Sequence, residues 1–172
     1  MRNFSRLLVL SLSAAFMLGC GRTPETDAPK VDVQTAAPTP SHAAYGLQWT
    51  TNDIPASMPA GKITPVHVSV KNTGDWPWPD PFAANPPKPD GTYAVRLSYR
   101  WLDSNGKVLP DDGTRAELNA PVPAGQTANF TMRVRPPKDP GAYQLQVDLV
   151  EELITFFSAK GTEKLTVPVT VQ

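Results

Sequence analysis

Residues 139–149 read DPGAYQLQVDL. Pro140-Gly141 is a turn pair, and the residues after it alternate. Tyr143, Leu145, Val147 and Leu149 fall on one side, Gln144, Gln146 and Asp148 on the other. A period of two is that of a β-strand with one buried face. The pattern recurs to either side. Val66, Val68 and Val70 share a face in 65–71, and Tyr93, Val95, Leu97, Tyr99 and Trp101 do so in 93–102, opposite Arg96, Ser98 and Arg100. Ala128, Phe130, Met132 and Val134 alternate with Asn129, Thr131, Arg133 and Arg135, and Leu165, Val167, Val169 and Val171 alternate with Thr166, Pro168 and Thr170. Shorter strands fit 46–51, 107–109 and 115–118. No segment shows a convincing helical period, and the ambiguous run 147–157 reads as strand passing into loop.

Strands with one apolar face need a second sheet to cover them. The expected fold is therefore all-β: an antiparallel β-sandwich of seven to eight strands over residues 45–172. Asn105-Gly106 predicts a type I′ hairpin turn. Pro168, on the polar side of the last strand, predicts an edge position. Asp139 to Leu145 resembles the D-x-G-x-Y-x-C segment at the tyrosine corner of immunoglobulin domains. The likeness implies an immunoglobulin-like sandwich in which the Tyr143 hydroxyl bonds back to nearby backbone. Leu145 stands where antibody domains place their second cysteine, so packing alone would hold this core.

The N-terminus has a different character. Arg2 and Arg6 precede an apolar run, Leu7 to Leu18, broken only by Ser11 and Ser13. This is the layout of a secretory signal, and it is too short to span a bilayer. Its end, Met17-Leu18-Gly19-Cys20, resembles a bacterial lipobox, with Met17 where leucine is usual. The resemblance implies cleavage after residue 19 and lipid attachment at Cys20, the single cysteine of the chain. Several acyl chains hold a protein stably on a membrane where one does so marginally. Gly21, rather than aspartate, implies an outer-membrane lipoprotein facing the periplasm. Residues 20–44 are rich in Pro, Thr and Ala, with Val31 and Val33 as the only large apolar side chains, and predict a disordered tether that includes His42.

Composition excludes several function classes. The 172 residues carry 16 basic and 16 acidic side chains. Removing residues 1–19 takes away Arg2 and Arg6, leaving 14 against 16, or about −2. Nucleic-acid binders carry a basic surplus. One cysteine excludes an internal disulfide and a cysteine-based zinc site. His67, between Val66 and Val68, reads as a partly exposed sheet residue rather than a catalytic base. No nucleophile elbow, phosphate-binding glycine loop or H-E-x-x-H occurs. Asp103-Ser104-Asn105-Gly106 and Asp111-Asp112-Gly113 lack calcium-loop spacing. The chain is thus expected to be no enzyme and to use no metal or cofactor.

The unusual stretch is 72–91, NTGDWPWPDPFAANPPKPDG. Trp76, Trp78 and Phe82 lie among Pro77, Pro79, Pro81, Pro86, Pro87 and Pro89. Aromatics on a proline-stiffened loop can stack on sugar rings or on a peptide, while Trp78 also fits as a plug for one end of the sandwich. Phe156 and Phe157 read as end-cap core. Asn72-Thr73-Gly74 followed by Trp78 is similar to the signature of Ig-like domains such as that of the next-to-BRCA1 autophagy receptor. Tyr99-Arg100-Trp101-Leu102-Asp103, Gly106, Arg115, Leu118, Pro123-Ala124-Gly125, Gly141 to Leu145, Asp148 to Glu152, Phe156-Phe157 and Gly161 extend the likeness over roughly 63–172. They resemble an Ig-like domain often appended to bacterial glycosyltransferases, methyltransferases and other surface-polysaccharide proteins. Here the usual Trp-Phe pair is Phe156-Phe157 and the usual Arg-Thr is Arg115-Ala116. The resemblance implies an accessory or binding role.

The expected function is a lipid-anchored envelope domain that recognises a glycan or an envelope protein, with Trp76, Trp78 and Phe82 as contact residues. The alternative is a structural lipoprotein of a larger envelope assembly, joined through exposed sheet edges and binding no small ligand. Cys20 carries a direct test. Protein extracted from membranes should exceed in mass the unmodified chain starting at Cys20, and Cys20→Ser should move it to the soluble fraction.

Overall fold

A computed structural model describes residues 44–79 and 93–172. Cys20, His42, Phe82, the signal segment and nearly all of the tether lie outside the described residues. The strands are β1 (Leu47–Asn52), β2 (Ser57–Met58), β3 (Thr64–Asn72), β4 (Val95–Leu102), β5 (Val108–Asp112), β6 (Ala116–Glu117), β7 (Thr127–Val134), β8 (Gly141–Glu151), β9 (Thr155–Phe156) and β10 (Leu165–Val171). A short 3₁₀ turn, Phe157–Lys160, follows β9. Each run with a clear alternation forms a strand, and the two-residue strands β2 and β9 are too short to show a period.

The strands form two sheets, β1-β3-β7 and β2-β10-β8-β4-β5, with β6 attached to β4 and β9 to β8. The first strand region is split between them: β1 pairs antiparallel with β3, while β2 pairs parallel with β10. This order and this split are those of an immunoglobulin-like sandwich. Between the sheets, Val66, Val68, Val70, Phe130 and Met132 meet Leu97, Tyr99, Leu145, Val147 and Leu149 in one buried cluster without a thiol. At the corner the Tyr143 hydroxyl donates to the Asp139 carbonyl over 3.0 Å.

Four details depart from the sequence reading. The 103–107 turn is not type I′, which needs two left-handed central residues. Only Gly106 is left-handed, at φ +79°. Its N–H bonds the Asp103 carbonyl, and the Asp103 carboxylate accepts from the N–H groups of Asn105 and Lys107. That side-chain cap selects a three-residue loop with a glycine bulge. Tyr93 stands before the strand at φ +73°, with its N–H bonded to the Glu152 carbonyl, so β4 begins at Val95. The polar faces of β4 and β8 are partly covered, since Ser98, Asp148 and Val150 are buried, and the apolar face of β8 ends on a buried carboxylate, Glu151. Finally, Phe157 is buried but Phe156 is half-exposed.

Asn72 closes one end of the sandwich. Its buried amide donates to the carbonyls of Trp76 and Val122, over 2.9 and 3.0 Å, and accepts from the Gly74 N–H. Two loops thereby converge on one side chain. The incoming chain lies against them: the Thr73 N–H bonds the Gly46 carbonyl, and the Ala44 N–H bonds the Asp75 carboxylate. A Cβ on Gly46 would stand 2.5 Å from the Thr73 carbonyl carbon, and one on Gly74 2.6 Å from the Ala44 oxygen. Only glycines permit that approach. Pro168 pairs with Gln144, while β2 reaches only Thr170 and Val171, so the proline's outer side is an edge. Asn72→Ala leaves two buried carbonyls and one N–H without this partner. It should cost about 2–4 kcal/mol in denaturant unfolding.

Candidate functional site

The two expected contact tryptophans are core residues. Trp76 is 8% exposed and Trp78 0%. Trp78 exchanges two backbone hydrogen bonds with Val122, each 2.9 Å. Its ring meets Phe157 edge-on at 5.6 Å, and Phe157 in turn meets Tyr45 at 5.1 Å and Trp76 at 6.1 Å. This four-ring plug gathers the start of β1, the segment after β3 and the turn after β9. Trp76 and Trp78 therefore present no face to a ligand, which corrects the contact reading; a half-buried strand end needs its indoles more than its surface does. The Trp78 Nε1 finds no hydrogen-bond partner among the described residues. Tyr45 also donates its hydroxyl to the buried Glu151 carboxylate at 2.6 Å. Burial first, then this carboxylate, push the hydroxyl above the usual phenol range. His67 is exposed, with Nδ1 2.7 Å from the Asp53 carboxylate. Hydrogen bonds from the His67 backbone and ring hold Asp53 below the usual carboxylate range. Among the described residues no group of three His, Cys, Asp or Glu could hold a metal ion.

Three surface features remain. The first is a cleft of about 560 Å³ at the tyrosine-corner end, floored by Tyr99 and Trp101 and walled by Leu109, Pro110 and Pro136-Pro137. Its aromatic polar atoms are engaged: the Tyr99 hydroxyl accepts from the Arg135 N–H at 2.9 Å, and the Trp101 indole donates to the Arg135 carbonyl at 2.8 Å. Gly113 lies flat on the Tyr99 ring, where a Cβ would be 2.6 Å from three ring carbons.

The second is the outer face of the larger sheet. The Arg115 Nε pairs with Glu152 at 2.9 Å, and its Nη1 donates to the Ser98 hydroxyl at 2.7 Å. Arg96 pairs with Glu117 at 3.3 Å and Glu152 at 3.7 Å. The guanidinium carbons of Arg100 and Arg115 stand 5.2 and 5.9 Å from the centre of the Phe156 ring. These distances are those of cation–π stacking. The end-cap role expected of Phe156 is thus corrected. Its ring lies on the outside of the sheet, against Arg100 of β4 and Arg115, the residue just before β6. Beside it the buried Asp148 carboxylate accepts from the Ser158 N–H and hydroxyl, fixing the 3₁₀ turn.

The third is the free side of β7. Outer strands elsewhere are short or interrupted: β2, β6 and β9 have two residues, β1 shifts register between Trp49 and Thr51, β5 contains Pro110, and β10 contains Pro168. Such devices blunt an edge against further pairing. β7 runs eight residues in unbroken register with β3, from Thr64↔Val134 to Lys71↔Thr127. The His67 carbonyl bonds Asp53 and the Asn72 N–H bonds Gln126, so odd-numbered β3 residues face β1 and even-numbered ones face β7. The antiparallel alternation then turns the backbone groups of Thr127, Asn129 and Thr131 outward. Further along, the Thr114 hydroxyl donates to the Arg133 carbonyl. Alternation in the sequence reveals faces but not strand order, so this edge was not visible there.

No protein-family model matches the chain, and no curated protein matches it. Solved structures offer distant likenesses. A CARDB domain from Pyrococcus furiosus is 15% identical, over 73% of this chain and 84% of that one, with a TM-score of 0.41. A β-glucosidase from Listeria innocua is 13% identical, over 74% of this chain and 16% of the enzyme, at 0.43. An alkylpurine DNA glycosylase from Pseudomonas fluorescens is 13% identical, over 73% of this chain and 30% of that one, at 0.40. Likenesses this distant carry no argument about activity.

Asp148 gives this face a pH signature. Burial pushes its carboxyl above the usual range, against the opposing pull of Ser158 and Lys164. The folded state therefore holds the proton more tightly than the unfolded chain. Stability from this group is full below the ordinary carboxylate pKa and falls as pH rises through the raised one. Asp148→Asn should gain stability relative to the parent chain across that rise, then keep a constant gain to neutral pH, as followed by thermal unfolding.

Proposed function

We propose that the chain is a lipid-anchored, non-catalytic docking domain of the bacterial cell envelope. Acyl chains on Cys20 hold it to the outer membrane, residues 20–44 extend it into the periplasm, and the sandwich receives an extended segment of an envelope protein along β7. The observation that carries this reading is the unblunted β7 edge, with Thr127, Asn129 and Thr131 presenting outward backbone groups beside strands whose edges are interrupted. Strand addition draws its affinity from main-chain hydrogen bonds and its selectivity from alternate side chains. A protein partner is favoured over a glycan because the tryptophans suited to sugar stacking are buried.

Asn129→Pro and Thr131→Pro remove outward N–H groups that β3 does not use. Each should abolish capture of a stoichiometric envelope protein by the full chain, with only a small drop in thermal midpoint. In the parent complex the amides of Thr127, Asn129 and Thr131 should gain protection from hydrogen exchange. A partner bound equally well by both variants would refute strand addition. Binding of envelope glycans with no protein partner would refute the choice of ligand.

A further inference from the structure

The outer face of the larger sheet holds an arginine whose binding capacity is unspent. Arg100 stands on β4, half-buried, with its guanidinium laid against Phe156 at 5.2 Å. The two neighbouring arginines are occupied, Arg115 by Glu152 and Ser98, and Arg96 by Glu117 and Glu152. Among carboxylates whose side chains are described, none pairs with Arg100. Its register partner on β8 is Gln146. The Gln146 Oε1 accepts from the Lys164 ammonium at 3.1 Å, which leaves the Gln146 amide N–H₂ as a donor beside Arg100. On β5 the register partner is Asp112, and the β4–β5 pairing is irregular between Arg100 and Leu102. Such irregularities re-aim side chains next to binding sites.

We propose that Arg100, Gln146 and Lys164 form a recognition site for the carboxylates of an acidic, extended protein segment. Arg100 is the anchor. A guanidinium held flat on an aromatic ring keeps its fork of N–H donors in one plane, the geometry that binds a carboxylate through two parallel hydrogen bonds. Gln146 adds a neutral donor beside that fork. Lys164 supplies a second charge, its ammonium held on the Gln146 Oε1 of the strand next to β4. Carboxylates two residues apart on an extended chain lie on the same side, about 7 Å from one another, so both can face the sheet. The donors are set on neighbouring strands of one sheet face, an arrangement that an extended chain laid across those strands can meet, which favours a peptide. The site lies on the sheet that does not contain β7, so it stands or falls independently of strand addition.

The test uses the full chain in detergent and a synthetic extended peptide carrying Glu-x-Glu, with a Gln-x-Gln peptide and polygalacturonate as comparators. The Glu peptide should bind in calorimetry, weaken as salt rises, and shift the Arg100, Gln146 and Lys164 side-chain resonances. Arg100→Ala should weaken it about tenfold or more. Arg100→Lys, which keeps the charge and loses the fork, should fall between the two. Asn129→Pro should leave this affinity unchanged, separating the site from the β7 edge. Equal binding of the Glu and Gln peptides, or undiminished binding by Arg100→Ala with an unchanged near-ultraviolet spectrum, would overturn the proposal. Binding of polygalacturonate with none of the peptide would replace the protein segment by an acidic glycan.

Discussion

Everything at one end of this sandwich hangs on the side-chain amide of Asn72. An amide offers two donors and an acceptor, and in a dry interior each unmet group is costly. Here both donors go to carbonyls of separate loops and the acceptor takes a glycine N–H. The arrangement fixes where the 74–79 segment runs, where the 119–125 connection returns, and hence where Trp78 meets Val122. An aspartate of the same shape would offer no donor, and a leucine would offer nothing. The ring cluster of Tyr45, Trp76, Trp78 and Phe157 then fills the space that these loops define.

Much of this was legible in the chain and some of it was not, for physical reasons. Alternation marked the long strands because a half-buried strand must repeat its polarity every second residue. Asp139 to Leu145 announced the corner because its turn pair and tyrosine act locally. Trp76 and Trp78 misled because a tryptophan on a loop carries the same letters whether it faces solvent or fills a strand end. Asn105-Gly106 misled for a related reason, since an upstream aspartate side chain decided the turn. Phe156 and Phe157 are adjacent and identical, yet one is buried and the other lies against arginines from distant parts of the chain. No local pattern can separate them. The charge site and the free edge likewise follow from strand order, which comes from pairings between residues 42 to 70 apart in sequence.

The two sheets divide the chemistry between them. The smaller sheet leaves one edge unpaired along Thr127, Asn129 and Thr131, a nearly neutral outer row, and Thr114 caps that edge at Arg133. The larger sheet carries its charges on its face, where Glu152 serves two arginines and leaves a third without a described counter-ion. Backbone pairing rewards shape along a line, whereas charge on a face rewards composition in a patch. A single partner touching both would be selected twice by unrelated criteria.

The glycine-on-backbone joint at Ala44–Gly46 also has a mechanical meaning. If the chain before residue 44 is held by a membrane and the sandwich by a partner, any tension between them enters the domain at this joint. It is met by the Thr73–Gly46 and Ala44–Asp75 hydrogen bonds, with the β1–β3 ladder directly behind them. The load reaches paired backbone before it reaches the aromatic plug, and the neighbouring Tyr45 pins the same point to β8 through Glu151. A pull on the anchor is thereby spread into both sheets at once, so the fold resists as a unit and does not fray from its first strand.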